Sequence, residues 1–402
     1  MGTHKQHFES RGVIAGGFQH VHGGSDHFGP GVSSKAGELV KTSGARSVLV
    51  VTDGTMERIG LAERIAGSVR AAGLEVSVFT GVEPEPSVET TDSAAAIARD
   101  RKVEAVIGLG GGSSMDVAKA VSVLVTNDGS AARYQGLGLV KNPGVFKLMI
   151  PTTAGTGSEV TFTAVLIRKS DGVKGGINSD YLYPDMSLLD PELTVSMPPV
   201  ITASTGMDAL AHALEAYTSL QASPFSDMFA EEALWRIGKW IRVAALNGKN
   251  IEARGGMMLA ALYGGVALAN AGVTACHALA YPLGGMFGVP HGTANALLIP
   301  HVARWNAQAS PERFAEAASL LGYPREDGEP DHVAAIFCAE ALDDLVDDLG
   351  LPARLQDLGV GIGEEHLEEM AGKAMGVSRP MENNPRVMTK NDCIQIYREA
   401  MM

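Results

Sequence analysis

Val103-Glu104-Ala105-Val106-Ile107-Gly108-Leu109-Gly110-Gly111-Gly112-Ser113-Ser114-Met115-Asp116-Val117-Ala118-Lys119 is the stretch that decides the fold. Its first seven residues are largely apolar and rich in β-branched side chains, the signature of a buried strand. A helix opens near Ser113 or Ser114. Between the two, Gly110, Gly111 and Gly112 let the backbone approach a bound group closely, and the unpaired N–H groups at a helix start attract anions. Asp116 is placed to cap or orient the turn. The loop matches neither a GxGxxG fingerprint at a first βα turn nor a Walker A loop. A dinucleotide-binding loop and an ordinary tight βα turn both stay open on this stretch alone.

Working outward, similar apolar runs recur at Ser47–Val51, Leu74–Phe79 and Lys147–Ile150, each separated from the next by a helical stretch. Such alternation implies βαβ units and a parallel sheet. The run at 147–150 leads into Pro151-Thr152-Thr153-Ala154-Gly155-Thr156-Gly157-Ser158-Glu159, which offers the hydroxyls of Thr152, Thr153, Thr156 and Ser158 among glycines. Ligands of open α/β sheets bind at that edge, which favours a binding loop over a Ser/Thr-rich connector. Asp53 ends the run at 47–51. A carboxylate there accepts hydrogen bonds from ribose hydroxyls and repels a 2′-phosphate, which favours NAD over NADP. The competing reading is a turn aspartate ahead of Gly54.

Beyond Pro191 the pattern changes to long helical stretches, with Ser196-Met197-Pro198-Pro199 as the boundary. The expected organisation is an α/β domain over residues 1–195 and an all-helical domain over 196–402, with a cleft between them. There is no internal repeat and no low-complexity tract. In the helical half, Asp208 and His212 stand four apart and share a helix face. His277 and His291 follow in a stretch from Gly255 to Pro300 that contains no Lys, Arg, Asp or Glu. Three imidazoles and a carboxylate suit iron or zinc. Satisfied core histidines are the alternative. The N-terminal histidines His4, His7, His20, His22 and His27 are irregularly spaced, and a mobile arm is expected of them.

The bulk properties narrow the function. The 402 residues carry a formal charge of −14, which argues against nucleic acid or an anionic membrane as a partner. Three widely separated cysteines form no disulfide framework, as in a reducing cytosol, and no signal-type apolar stretch opens the chain. A cytoplasmic location is expected. The uncharged stretch 255–300 is long enough to cross a membrane. Its histidines, Gly-Gly pairs and prolines fit buried helices around a polar site better.

Taken together, these motifs resemble the iron-containing (group III) alcohol dehydrogenases over nearly the whole chain. The resemblance runs from Phe28-Gly29-Pro30-Gly31 through Gly110-Gly111-Gly112-Ser113 with Asp116 and Lys119. It continues through Pro151–Glu159, Thr205-Gly206-Met207-Asp208-Ala209-Leu210-Ala211-His212 with Glu215, Pro290-His291-Gly292 with Asn295, and Asn384-Pro385-Arg386. It implies a Rossmann-like N-terminal dinucleotide domain with a parallel sheet, joined to a helical metal-binding domain in a dehydroquinate synthase-like architecture. It implies Asp208, His212, His277 and His291 as ligands of one divalent metal, Fe2+ with Zn2+ as the alternative. It also implies that Asp53, both glycine-rich loops and Lys174 contact NAD(H), and that the chain forms a homodimer. The implied chemistry is hydride transfer between nicotinamide C4 and a small alcohol or aldehyde. A carboxylate, phosphonate or sulfonate head on that substrate is within its scope. Many members carry a second histidine one turn after the third ligand; here Tyr281 stands there, with a much higher intrinsic pKa, so a histidine proton relay is in doubt. Arg379 and Arg386 lie in a late loop, where surface solvation competes with a place at the cleft. Two other functions share the architecture: an NAD- and metal-dependent cyclase, which would need a cluster of basic phosphate ligands, and a non-catalytic nucleotide-binding protein.

Overall fold

The computed structural model describes residues 18–22 and 24–402. The α/β half is built on a seven-stranded sheet. Its strands are β1 (Phe18–His22), β2 (Gly24–Phe28), β3 (Ser47–Asp53), β4 (Glu75–Val82), β5 (Ala105–Gly110), β7 (Phe146–Pro151) and β10 (Met186–Leu189). The order is β1-β2-β10-β7-β5-β3-β4, and every neighbouring pair except β1–β2 is parallel. A second sheet joins β6 (Gly136–Leu137), β9 (Val173–Asn178) and β8 (Thr163–Arg168), with β8 and β9 antiparallel.

The central strands are apolar on both faces because helices cover both. Val48 and Val50 pack into one core with Ile107, Leu148 and Ile65. Leu49 and Val51, their alternate neighbours, pack into the other with Val106, Met149 and Val121. This division follows the two-residue period of a strand. Helix Leu61–Ala71 buries Leu61, Ile65 and Val69 against one face. Helices Val88–Asp100 and Gly112–Leu124 cover the other.

The four apolar runs are strands, and the sheets add others that carry polar or glycine-rich sequence. One of these corrects the mobile-arm expectation. His20 and His22 belong to β1 and His27 to β2, while His4 and His7 lie outside the described residues. Strand β2 is held because its backbone pairs with β10 in parallel register from Ser25–Met186 to Phe28–Leu189. Phe28 then packs on Leu189, Val160 and Met258.

The main sheet ends at Leu189, and a long helix begins at Pro199 behind Pro198. The helical half follows, with helices Pro199–Thr218, Pro224–Leu246, Ile251–Ala271, Ala275–Phe287 and His291–Asn306 at its centre. Their cross-contacts form the largest buried cluster of the described residues. The uncharged stretch 255–300 supplies parts of three of these helices. Among the described residues no single helix is long and apolar enough to cross a membrane. The pair Ile251–Ala271 and Ala275–Phe287 passes only when joined, across a bend of 106°.

Candidate active site

Each expected metal ligand is placed by helical spacing. Helix Pro199–Thr218 presents Asp208, His212 and Glu215 at i, i+4 and i+7. Helix Ala275–Phe287 carries His277 and Tyr281, and helix His291–Asn306 carries His291 and Asn295. Gly292 allows the approach. A Cβ there would lie 2.4 Å from the Ser204 carbonyl oxygen, so any side chain would push the Asp208 and His291 helices apart.

Asp208, His277 and His291 bring one ligand atom each to within 4.8 Å of one another. His212 stands beside this trio. Its ring stacks on His277 with centroids 4.7 Å apart, and its Nδ1 lies 3.4 Å from the Gly155 carbonyl oxygen. Asn295 Nδ2 donates to Asp208 Oδ1 at 2.8 Å and sits 3.2 Å from Nε2 of both His277 and His291. Behind His277, Nδ1 meets Glu215 Oε2.

The charges follow from these contacts. Burial would raise the Asp208 carboxyl, yet the imidazoles of His212, His291 and His277 with the Asn295 amide bring it down to about 2. Burial pushes His291 down to about 4, so its ring is neutral at pH 7. His212 is also lowered, first by burial. His277 moves up against its own burial because Glu215 holds a proton on it. The anionic carboxylate of Asp208 and the neutral imidazoles of His212 and His291 are forms that bind a cation. Tyr281 lies with its ring 5.9 Å from His291 and near parallel to it. Burial and the carboxylates of Glu215, Asp208 and Glu85 raise its phenol, so it stays protonated.

The trio opens into a cavity of about 590 Å³ that Gly112, Ser113, Asp116, Thr156, Ser158 and Lys174 also line. The helix starts at Gly112, with Gly111 as its N-cap. The two glycine-rich loops are tied together, since Thr152 N donates to the Gly110 carbonyl at 2.9 Å and Gly111 faces the Thr153 side chain. Asp116 does not cap its own helix. It accepts from Ser158 Oγ at 2.6 Å and from Val165 N at 2.8 Å, and pairs with the buried Lys119 at 3.1 Å. Lys119 in turn donates to the Ser158 carbonyl at 3.0 Å. Asp53 is both a turn aspartate and a neighbour of the loop. Its Oδ1 accepts from Thr55 N and Met56 N, and its Oδ2 lies 3.5 Å from Ser114 Oγ. Lys174 pairs with Glu85 and lies 5.8 Å from the Tyr281 ring centroid.

Arg379 lines the cavity although its side chain is exposed. Arg386 is not among the residues lining the cavity: half-buried, it stacks on Trp305 at 3.6 Å and donates to that residue's carbonyl. The roles of Glu215 and Asn295 carry no signal in spacing alone, although both fall on the ligand-bearing faces.

A doubly wound sheet whose loops share a cavity with a carboxylate–histidine cluster defines the class of nucleotide-linked, metal-dependent oxidoreductases. The family described as iron-containing alcohol dehydrogenase matches residues 26–191, and the description Fe-containing alcohol dehydrogenase family, C-terminal, matches 202–401. The chain is similar to long-chain-alcohol dehydrogenase 1 of Geobacillus thermodenitrificans (strain NG80-2), 41% identical over 93% of this chain and 94% of that one. A crystal structure of 1,3-propanediol oxidoreductase superposes with a TM-score of 0.91 at 36% identity, covering 96% of this chain and all of the other. Sulfoacetaldehyde reductase from Bifidobacterium kashiwanohense, solved with NAD+, superposes at 0.85 with 33% identity, over 97% and 99% of the two chains. This chain belongs to the iron-containing alcohol dehydrogenase family. It is an NAD-linked alcohol or aldehyde oxidoreductase that works with a metal.

Proposed function

We propose that the chain moves hydride between NAD(H) and a small alcohol or aldehyde in this cavity, with one divalent cation on Asp208, His212, His277 and His291. The observation that carries the reading is convergence: a single cavity is lined both by Gly112, Ser113, Thr156 and Ser158 and by Asp208, His277 and His291. The donor set fits a cation: Asp208, His277 and the half-buried His291 cluster, with the buried His212 beside them, and all are carboxylate or imidazole in type. Fe2+ is the ion the family points to, and Zn2+ shares its donor preference. When bound, the cation supplies Lewis acidity at the substrate oxygen and the nicotinamide supplies or takes up the hydride.

The chain's own residues prepare that encounter. The tied glycine-rich loops present N–H groups and the Thr156 hydroxyl to a pyrophosphate, while Ser158, whose hydroxyl donates to Asp116, holds the loop in place. Asp53, at the end of β3, serves NAD and rejects the 2′-phosphate of NADP. Lys174 borders the nucleotide. Tyr281 walls the site with a protonated phenol and does not relay protons by ionising. Leu268, Val273 and Pro380 give the same cavity apolar walls.

The reading extends to substrates with an anionic head. Arg379 supports this, because it lines the cavity and has no hydrogen-bond or ion-pair partner among the described residues. The similar structure of a sulfoacetaldehyde reductase points the same way. A homodimer and a cytoplasmic location belong to the reading: β1 leaves a sheet edge for pairing, and the three cysteines are free and buried. No observation favours a cyclase, since Lys174 and Arg379 are the only cationic side chains lining the cavity among the described residues, and Lys174 is paired with Glu85.

The test is a panel of neutral and anionic aldehydes, with NADH or NADPH, on protein loaded with Fe2+ or Zn2+. NADH is expected to exceed NADPH at least tenfold in kcat/KM. No nicotinamide oxidation with any aldehyde and either ion sinks the reading, and a preference for NADPH sinks the role of Asp53.

A further inference from the structure

We infer that Glu215 is a positioning residue that fixes the orientation and tautomer of His277, and so sets how tightly the cluster holds its cation. The inference rests on the proposed metal reading.

Glu215 is 2% exposed and comes from a different helix than His277. Its Oε1 accepts from Thr274 N at 3.0 Å, Thr274 Oγ1 at 2.8 Å, Cys276 N at 2.9 Å and His277 N at 3.3 Å. Its Oε2 accepts from His277 Nδ1. One carboxylate therefore does two things. It gathers the unpaired N–H groups at the start of helix Ala275–Phe287, where Thr274 makes no side-chain cap of its own. It also places the proton of the ring on Nδ1. That leaves the Nε2 lone pair facing Asp208 Oδ1, 3.9 Å away, and the His291 ring. The opposite tautomer would aim an N–H at the position a cation needs. An outer carboxylate on a ligand imidazole fixes orientation and raises basicity, and its loss typically costs 10–100-fold in metal affinity.

The two functions of Glu215 separate experimentally. Zn2+ affinity is measured by competition with a chromophoric chelator for the wild type, Glu215→Gln, Glu215→Asp and Thr274→Val, with NADH affinity followed in parallel. Glu215→Gln is expected to raise the Zn2+ Kd about 10–100-fold. NADH affinity is expected to stay within about twofold. Thr274→Val removes a helix-start partner and leaves the ring contact, so it is expected to shift the Zn2+ Kd by less than about threefold. Glu215→Asp, one methylene short, decides the matter if Glu215→Gln does not fold, and a tenfold weaker Zn2+ affinity is expected of it. A wild-type Kd in every folded Glu215 variant, or an equal loss in Thr274→Val, overturns the inference while leaving the metal reading standing. A wild-type chain that binds neither Zn2+ nor Fe2+ overturns both.

Discussion

Asp208 and His277 show how single residues acquire a role from their surroundings. Asp208 would be neutralised by burial alone, and the histidines around it keep it ionised. His277 has lost half its hydrogen-bonding freedom to Glu215. His277→Ala is expected to release the bound ion on dialysis and to abolish turnover with it, as metal analysis beside activity would show. Retained ion with full activity refutes the ligand role. For Arg379, the comparison is a ratio. A charge-assisted hydrogen bond contributes about 1.5–3 kcal/mol. Arg379→Ala should thus lower the kcat/KM ratio of an anionic to a neutral aldehyde by roughly 10–100-fold, at a steady KM for NADH. A rise in the NADH KM instead assigns Arg379 to the cofactor. Of these residues, Asp208 and His212 were legible because four residues make one helical turn. Glu215 stood in the same motif, but its contact with His277 was not legible, since the two lie 62 residues apart. Arg379 was not, since one charge in a stretch read as a late loop, and in fact in helix Ser378–Asn383, looks the same whether it faces solvent or a cavity.

At the scale of elements, the loop after β7 is seated by contact between backbones. Gly157 has φ +61, and a Cβ there would stand 2.5 Å from the Gly265 Cα in helix Ile251–Ala271. Gly157→Ala combines a left-handed strain with an overlap that nothing flexible can relieve. It is expected to lower stability by about 1–3 kcal/mol and to weaken NADH binding, read by chemical denaturation and fluorescence titration. Unchanged values for both would show that the contact opens freely. The parallel strands announced themselves by apolar runs bounded by glycine. The hairpin of β8 and β9 did not, because Lys174-Gly175-Gly176 lacks the alternation of a half-buried strand and owes its pairing to its neighbour. Strand β2, Gly24-Ser25-Asp26-His27-Phe28, is likewise polar and is held by its place beside β10.

Across the whole molecule, stability answers to pH through a buried acidic pair. Asp26 in β2 is pushed up to about 7 by burial and by Glu159, and Glu159 is pushed up to about 7 by its own burial. Both folded values exceed those of an unfolded chain, so the folded state holds protons that the unfolded state gives up. The stability they contribute is complete below about pH 4 and is lost as pH rises through about 7. A tenfold difference in proton affinity between the two states corresponds to about 1.4 kcal/mol, and with two groups each losing about two such factors, a decline on the order of 5 kcal/mol is expected between about pH 5 and 8. Asp26→Asn should roughly halve it, leaving the part due to Glu159, as melting curves across that range would reveal; an unchanged slope removes Asp26 from the explanation. No sequence pattern exposes this pair, because the strand and the loop that carry it lie far apart along the chain.

The uncharged stretch 255–300 also bears on biosynthesis. Its cover arrives late: Tyr397 Oη, in helix Lys390–Glu399 and 118 residues further along, bonds the Leu279 carbonyl at 2.7 Å. While the ribosome completes the remaining residues, an oily hairpin waits outside the exit tunnel without its lid. Chains cut short by a stalled or nicked message would expose that surface permanently and clump or be degraded. Yield in a host is therefore expected to depend on chaperone supply more than on the melting temperature of the finished enzyme.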